Sequence, residues 1–363
     1  MVGTALQVPI LGISVVEFLV LLIASFAGGV FGAALGALPA FIFTGFMVIA
    51  GEAINILTAQ LGAVAGIPTG DVAPNVTGLV AFGPVFGPHI AFAGGAAATA
   101  YAAKKGKMDT GFDYHEGKNI LYAFGTEPDI LLVGGVFGIL GMFIRQISGG
   151  LLLPWDPIAM GVTLSAVAHR LAFGFPLVGE ARGDGLLDMS PFARGDMRTS
   201  TTGGDVAADG GVEESRLAVE PWLPHQYKWS GVALLGLAVG ILGAYIALVT
   251  ESFFLGFGIS AASLLFLNLG VEKIPVTHHI TLPSSTAALI LGTGGDALVA
   301  LVVGALFGIY GALAGEVHQR IFYAHSDTHW DPPAASIVLT TFTIAVLAIL
   351  GIFPDSGWVP LPV

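Results

Sequence analysis

Apolar residues in this chain come in long runs separated by short polar turns. Ten runs can be marked, at roughly 15–36, 38–58, 76–103, 128–147 and 156–177, then 230–249, 252–270, 275–293, 296–318 and 332–353. A helix needs about 20 apolar residues to cross about 30 Å of hydrocarbon, and most of the runs have that length. The pattern predicts an all-α polytopic membrane protein of about ten apolar segments. Helix starts are legible as well. Trp155-Asp156-Pro157 and Trp330-Asp331-Pro332 each put an aspartate at an N-cap and a proline at the first helical position. Thr126-Glu127-Pro128-Asp129 carries the spacing of a capping box.

The two halves resemble each other. VGGVFGILG at 133–141 matches VGALFGIYG at 303–311, and WDPIA at 155–159 matches WDPPA at 330–334. PHIAFAGGAAA at 88–98 is similar to HHITLPSSTAA at 278–288, which aligns His89 with His279 and Gly94-Gly95 with Ser284-Ser285. All three matches fall in the same order. They divide the chain into a first membrane repeat (1–177), an acidic polar linker (178–228) and a second membrane repeat (229–363). Five crossings per half would turn the second repeat upside down relative to the first. Small residues recur at four-residue spacing at Gly28, Gly32 and Gly36, at Gly134 and Gly138, and at Gly304 and Gly308. Such faces let helices approach closely in lipid, within one subunit or between copies in a homo-oligomer.

Composition sharpens the class. Of the 363 residues 55% are apolar and 10% charged, with a mean hydropathy of +0.84. A soluble domain carries about 25% charged residues, so a soluble enzyme and a disordered chain are excluded. The formal net charge of −12 argues against a nucleic-acid partner. With no cysteine there are no disulfides and no thiolate metal ligands. The start, MVGTALQVPI, lacks the basic region of a cleavable signal. The linker holds nine acids and five bases among 51 residues, and its Gly, Asp, Ser and Thr content predicts partial disorder. Acid excess and only six lysines suit a protein from concentrated salt. In general character the chain resembles integral membrane proteins of halophilic archaea to which no function is assigned.

Basic residues set an expected topology. With the N-terminus outside, Lys104, Lys105, Lys107, Lys118, the linker, Lys273 and Arg320 all face the cytoplasm, and Arg145 alone is misplaced. A rival arrangement makes the third segment of each half re-entrant, which leaves four crossings per half and misplaces Arg145 and Arg320. The expected location is the cell membrane, with the 178–228 linker cytoplasmic.

The third segments are the candidate site. GPVFGPH at 83–89 has two Gly-Pro pairs, and a small-residue helix follows it. PVTHHITL at 275–282 has an extended character, and Pro283 then opens a short helix with Ser284, Ser285 and Thr286 in its first turn. Irregular backbone at membrane depth is tolerated where protein buries it or where it lines a wet cavity, and half-helix N-termini are positive. The arrangement resembles that of nucleobase and sulfate permeases, in which a short strand and a half-helix from each repeat meet around the substrate. His89, Gly94, Gly95, His279, Ser284, Ser285 and Thr286 are therefore expected to bind a small polar or anionic solute between the repeats, with His278 as a neighbour. Glu52 and Glu251 are candidates for proton coupling, because a carboxylate in lipid is costly. Arg170 lies near a helix end and is read as a residue that snorkels.

A last cluster, HQRIFYAHSDTHWD at 318–331, places His325, Asp327 and His329 in alternation on a loop, a pattern open to Zn²⁺. No other cofactor is expected. The chain has no nucleotide-binding loop, no Gly-x-Ser-x-Gly elbow and no HExxH helix, so no enzyme is expected. The reading is a permease whose partners are the bilayer and a small solute or ion. A solute or ion channel and a structural subunit of a membrane complex are the alternatives.

Overall fold

The computed structural model describes residues 7–8, 13–65, 75–198, 216–292 and 295–362. The acid-rich run 199–215, Asp71 and most of the first twelve residues lie outside the described residues. The chain is all-α apart from two two-residue strands, Gln7–Val8 and Ile13–Ser14. Its helices are α1 Val15–Leu35, α2 Ala37–Ala65, α3 Ala93–Lys104, α4 Pro128–Gly150, α5 Pro157–Phe173, α6 Ser190–Arg194, α7 Trp229–Thr250, α8 Leu255–Asn268, α9 His278–Gly292, α10 Ala297–His318 and α11 Pro332–Ile349. Two π-helical turns, Thr77–Ala81 and Pro88–Phe92, precede α3, and a third, Gln319–Tyr323, follows α10.

Six helices among the described residues are long and apolar enough to cross a membrane. They are α1, α2 over Ala37–Val64, α4, α7, α10 continued to Tyr323, and α11; α5 and α8 are shorter apolar helices. Val16, Ile23, Val136, Leu234, Leu242, Leu298 and Leu306 point outward from them, so the apolar exterior is suited to lipid. This is the architecture of a multi-pass membrane protein.

The aspartate signals act as helix starts. Asp156 accepts from the Ile158 and Ala159 amides at 2.8 and 3.3 Å, and Asp331 accepts from the Ala334 amide at 3.0 Å. The expected capping box at 126–129 does not form. Glu127 makes no side-chain cap bond, and Asp129 instead pairs with Lys107 at 2.8 Å and accepts from the Tyr101 hydroxyl at 3.2 Å.

One helix pair organises each end of the chain. Helix α1 packs on α4, and α3 with its preceding π-turn lies against both. Helix α7 packs on α10, and α9 lies against both. Helices α2 and α8 pack on each other, as do α5 and α11. The glycine faces make these contacts backbone to backbone. A Cβ on Gly29 would overlap the Gly134 carbonyl, and one on Gly308 would stand 2.5 Å from the Gly236 carbonyl oxygen. The small-residue faces are thus engaged inside the subunit. Carbonyls of the third segments seat in the same way, with the His89 oxygen over Gly141 and the His279 oxygen over Gly311.

One expectation is corrected. Residues 275–282 are not an extended stretch leading into a half-helix. Helix α9 runs unbroken from His278 and holds Pro283 in its interior. Pro283 supplies no N–H to the His279 carbonyl four residues back, and that carbonyl is the one seated over Gly311. The interruption expected in the first half is present: the chain turns at 82–87 between the two π-helical segments.

Gly141→Ala and Gly311→Ala should each lower stability by about 1–3 kcal/mol or more, because a backbone carbonyl cannot yield as a flexible side chain would. Gly149→Ala, whose Cβ would meet nothing within 4 Å, should leave it unchanged. Thermal unfolding of the purified protein in detergent measures all three.

Candidate functional site

The expected ring of half-helix donors does not assemble. Gly94 faces backbone, with a Cβ there standing 2.6 Å from the Gly134 carbonyl oxygen, and Gly95 packs on Ala37. The three hydroxyls are turned onto carbonyls of their own helix, and Ser285 also reaches the turn before α8. Ser284 donates to the Ile280 carbonyl, Ser285 to Phe253 O at 2.6 Å and Leu282 O at 2.9 Å, and Thr286 to Leu282 O at 2.7 Å. Thr286 also accepts from the Trp358 indole at 3.0 Å. These hydroxyls are buried, and each spends its proton on a backbone carbonyl. His279 is buried against Gly315 and Trp222. Of the seven expected residues, only His89 lines a large cavity.

The carboxylate candidates also resolve. Glu52 is buried and accepts from Asn55 at 3.0 Å, Thr77 at 2.7 Å and Ser252 at 2.5 Å, tying α2 to the segments before α3 and α8. It lines neither large cavity. Glu251 is exposed in the turn after α7, with φ of 55°.

Two cavities enter the molecule between the helix pairs. The first, of about 690 Å³, is walled by Glu17, Gly78, His89, Arg145, Gln146, Gly149 and Asp156 among others. These residues belong to the start of α1, the turns before α3, the end of α4 and the α4–α5 connection. The second, of about 630 Å³, is walled by Tyr114, Lys118, Leu121, Trp222, Lys273 and Tyr323 among others. These come from the α3–α4 connection, the end of the linker, the α8–α9 connection and the turn after α10. Three residues line both cavities: Phe41, His278 and Asp331. The Phe41 ring lies 4.8 Å from the His278 ring, 5.9 Å from Phe92 and 6.0 Å from Phe257. This aromatic group, with the cap of α11, divides one cavity from the other.

The second cavity opens toward a polar face. Lys118 and Glu220 form a buried pair at 2.6 Å, and Arg216 reaches Glu220 at 3.3 Å. Arg216 also pairs with Asp327, as does Arg198 at 3.3 Å. The Glu220 amide donates to Ala324 O at 2.9 Å, and the Trp222 amide to the Gln319 side chain at 3.2 Å. The described ends of the linker are therefore folded onto the 319–331 turn. Arg170 does not snorkel. It is fully buried and donates to Leu177 O, Phe322 O, the Ser326 hydroxyl and both the carbonyl and the hydroxyl of Thr328, at 2.6–3.0 Å. A guanidinium with five donors suits that fan of acceptors.

These bonds also decide the histidine cluster. His325 Nε2 donates to Leu186 O at 3.1 Å, and its Nδ1 accepts from the Arg182 amide at 3.3 Å, which occupies its lone pair. Burial opposes ionisation of Asp327, but Arg216, His115 and Arg198 hold its carboxyl well below the usual carboxylate range. His329 is buried between Phe92 and Tyr323. The alternation places three side chains in three environments, and no group of three or more His, Asp or Glu among the described residues could hold a metal ion.

The chain belongs to the family of unknown function DUF7973. The family model matches residues 10–362, both helix groups and the linker included. No curated protein and no solved structure matches the chain.

Two residues of the site, Phe41 and Asp331, were missed in the sequence, whereas His278 was named as a neighbour. Phe41 gave no signal within an apolar run. Asp331 was read only as a cap, and the signal that separates it from Asp156 is the second proline, Pro333. Two prolines leave the cap a single first-turn amide to bind within reach, so part of the carboxylate stays open to the cavity.

Burial pulls the Lys118 amine down to about 8, against the pull of Glu220. Its folded-state pKa thus lies below the unfolded 10.5, and the unfolded chain binds more protons between these values. The stability of the wild type relative to Lys118→Met should rise as pH goes from 8 to 10, which parallel unfolding curves would test.

Proposed function

We propose that this protein is a membrane permease for a small polar solute, with a path that runs through both cavities and is closed at Phe41, His278 and Asp331. The observation that carries the reading is that two cavities of similar size, walled by different sets of connections, share those three residues and no others among the described ones. A purely structural subunit has no need of such a path.

The reading includes ten crossings in two inverted repeats of five segments. Its support is the repeated packing: α1 on α4 with α3 between matches α7 on α10 with α9 between. The seating of His89 over Gly141 and of His279 over Gly311 joins residues that the sequence matches had already paired. The face is supported too. Arg320 donates to Leu187 O and Tyr227 O at 2.6 and 2.7 Å, so it shares a side with the linker, as five crossings per half require. With the basic residues of this face in the cytoplasm, the second cavity opens inward and the first outward. A halophilic archaeal source fits the acid excess. A channel is the second reading, favoured by the presence of both cavities in one conformation.

The lack of cysteine permits a direct test. Gly149→Cys reports on the first cavity and Leu121→Cys on the second. A membrane-impermeant maleimide applied to sealed, oriented vesicles should label Gly149→Cys from the outside only and Leu121→Cys from the inside only. Labelling of both from one side would end the proposal.

A further inference from the structure

We infer that the junction of the two cavities is a binding site for a small organic ammonium ion, held by the Asp331 carboxylate and the rings around it. The inference rests on the path proposed above and names its solute class. Three observations point to a cation that donates hydrogen bonds.

The first is the state of the helix start. Pro332 and Pro333 have no N–H, the Ala334 amide is taken by the Asp331 side chain at 3.0 Å, and the Ala335 amide by the Asp331 carbonyl at 3.2 Å. The positive end of α11 is already closed by its own carboxylate, so an anion finds no donor there. In the first cavity, α5 is closed in the same way by Pro157 and by Asp156 bound to two amides.

The second is the balance of charge along the path. Glu17 and Asp156 stand with Arg145 in the first cavity, and Asp113 and Glu272 with Lys118 and Lys273 in the second. Lys118 is bound to Glu220. Where the cavities meet, Asp331 is the only carboxylate among the described residues, and none of their lysines or arginines lines both cavities.

The third is the wall. His278 is buried and its Nδ1 has no partner; it lines both cavities. His329, also buried and lining the second cavity, has neither ring nitrogen satisfied. An unprotonated ring nitrogen accepts a hydrogen bond from an ammonium N–H. The Phe41, Phe92 and Phe257 rings complete the wall, and aromatic faces attract alkylammonium groups. A carboxylate, unpartnered imidazoles and phenyl faces together form a cation site.

The test uses Ile337→Cys, one turn into α11 and lining the first cavity, in the otherwise cysteine-free purified protein. The neutral reagent methyl methanethiosulfonate reports access. Propylammonium, 1-propanol and propionate are compared as cation, neutral and anion of one size at equal ionic strength. Propylammonium should slow labelling in a saturable way, and 1-propanol and propionate should not. Asp331→Asn, which keeps a capping side chain and removes the charge, should raise the propylammonium concentration for half-protection about tenfold with labelling itself retained. Labelling without protection by propylammonium, equal protection by propionate or 1-propanol, or unchanged protection in Asp331→Asn overturns the ammonium site and leaves the path standing. Failure of Ile337→Cys to label at all overturns both.

Discussion

Contact between helix backbones, made possible by glycine, is the constraint on which this structure depends. In lipid there is no hydrophobic force to press one apolar helix on another, so association rests on dispersion and polar contacts at short range. The α1–α4 and α7–α10 pairs close to backbone contact at Gly29, Gly134, Gly236 and Gly308. Each pair then presents a groove in which the carbonyl of a third-segment histidine can rest. Were the pairs held apart by side chains, α3 and α9 would lose their seats, and with them the positions of Phe92 and His278 at the junction.

A different economy governs the face that carries the linker. Here polar groups are deeply buried and tied together by hydrogen bonds and ion pairs. Arg170 draws the 322–328 turn onto the end of α5 through four bonds, and the Lys118, Glu220, Arg216 and Asp327 chain draws the linker onto the same turn. Breaking one member of such a chain leaves an uncompensated charge, which costs more than the pair itself contributes. The turn it fixes leads into Asp331, so the polar face sets the position of the residue that separates the cavities.

Much of the fold was legible because it rests on local rules. The long apolar runs became helices, and the two Trp-Asp-Pro signals marked true starts, since a cap and a first-turn proline act within four residues. Gly-Pro pairs at 83–88 likewise broke the third segment of the first half. The second half misled because β-branched residues at 275–282 suggest strand, while packing of α9 against α7 and α10 imposes helix from His278. The site was less legible, for a related reason. Serines and threonines at a helix start look like ligand donors, but in a tightly packed interior they bond back to the preceding turn, as Ser284, Ser285 and Thr286 do. Glu52 looked costly until its three donors, two of them distant in sequence, were in place.

The fate of the two aspartates shows how one motif comes to serve two ends. Asp156 and Asp331 occupy the same place in matching segments, and each neutralises the start of its helix. Asp156 spends one oxygen on two amides and lines only the outer of the two cavities as oriented above. Asp331 is followed by two prolines, binds one amide within the first turn, and lines both cavities. A second proline in place of Ile158 changes nothing in the helix beyond, since the first-turn amides have no intrahelical partners in any case. It does change how many amides the cap binds, two at Asp156 and one at Asp331. The two aspartates thus cap their helices alike but differ by one backbone donor, and of the two it is the cap of α11 that lines both cavities, without any additional charged residue at that position.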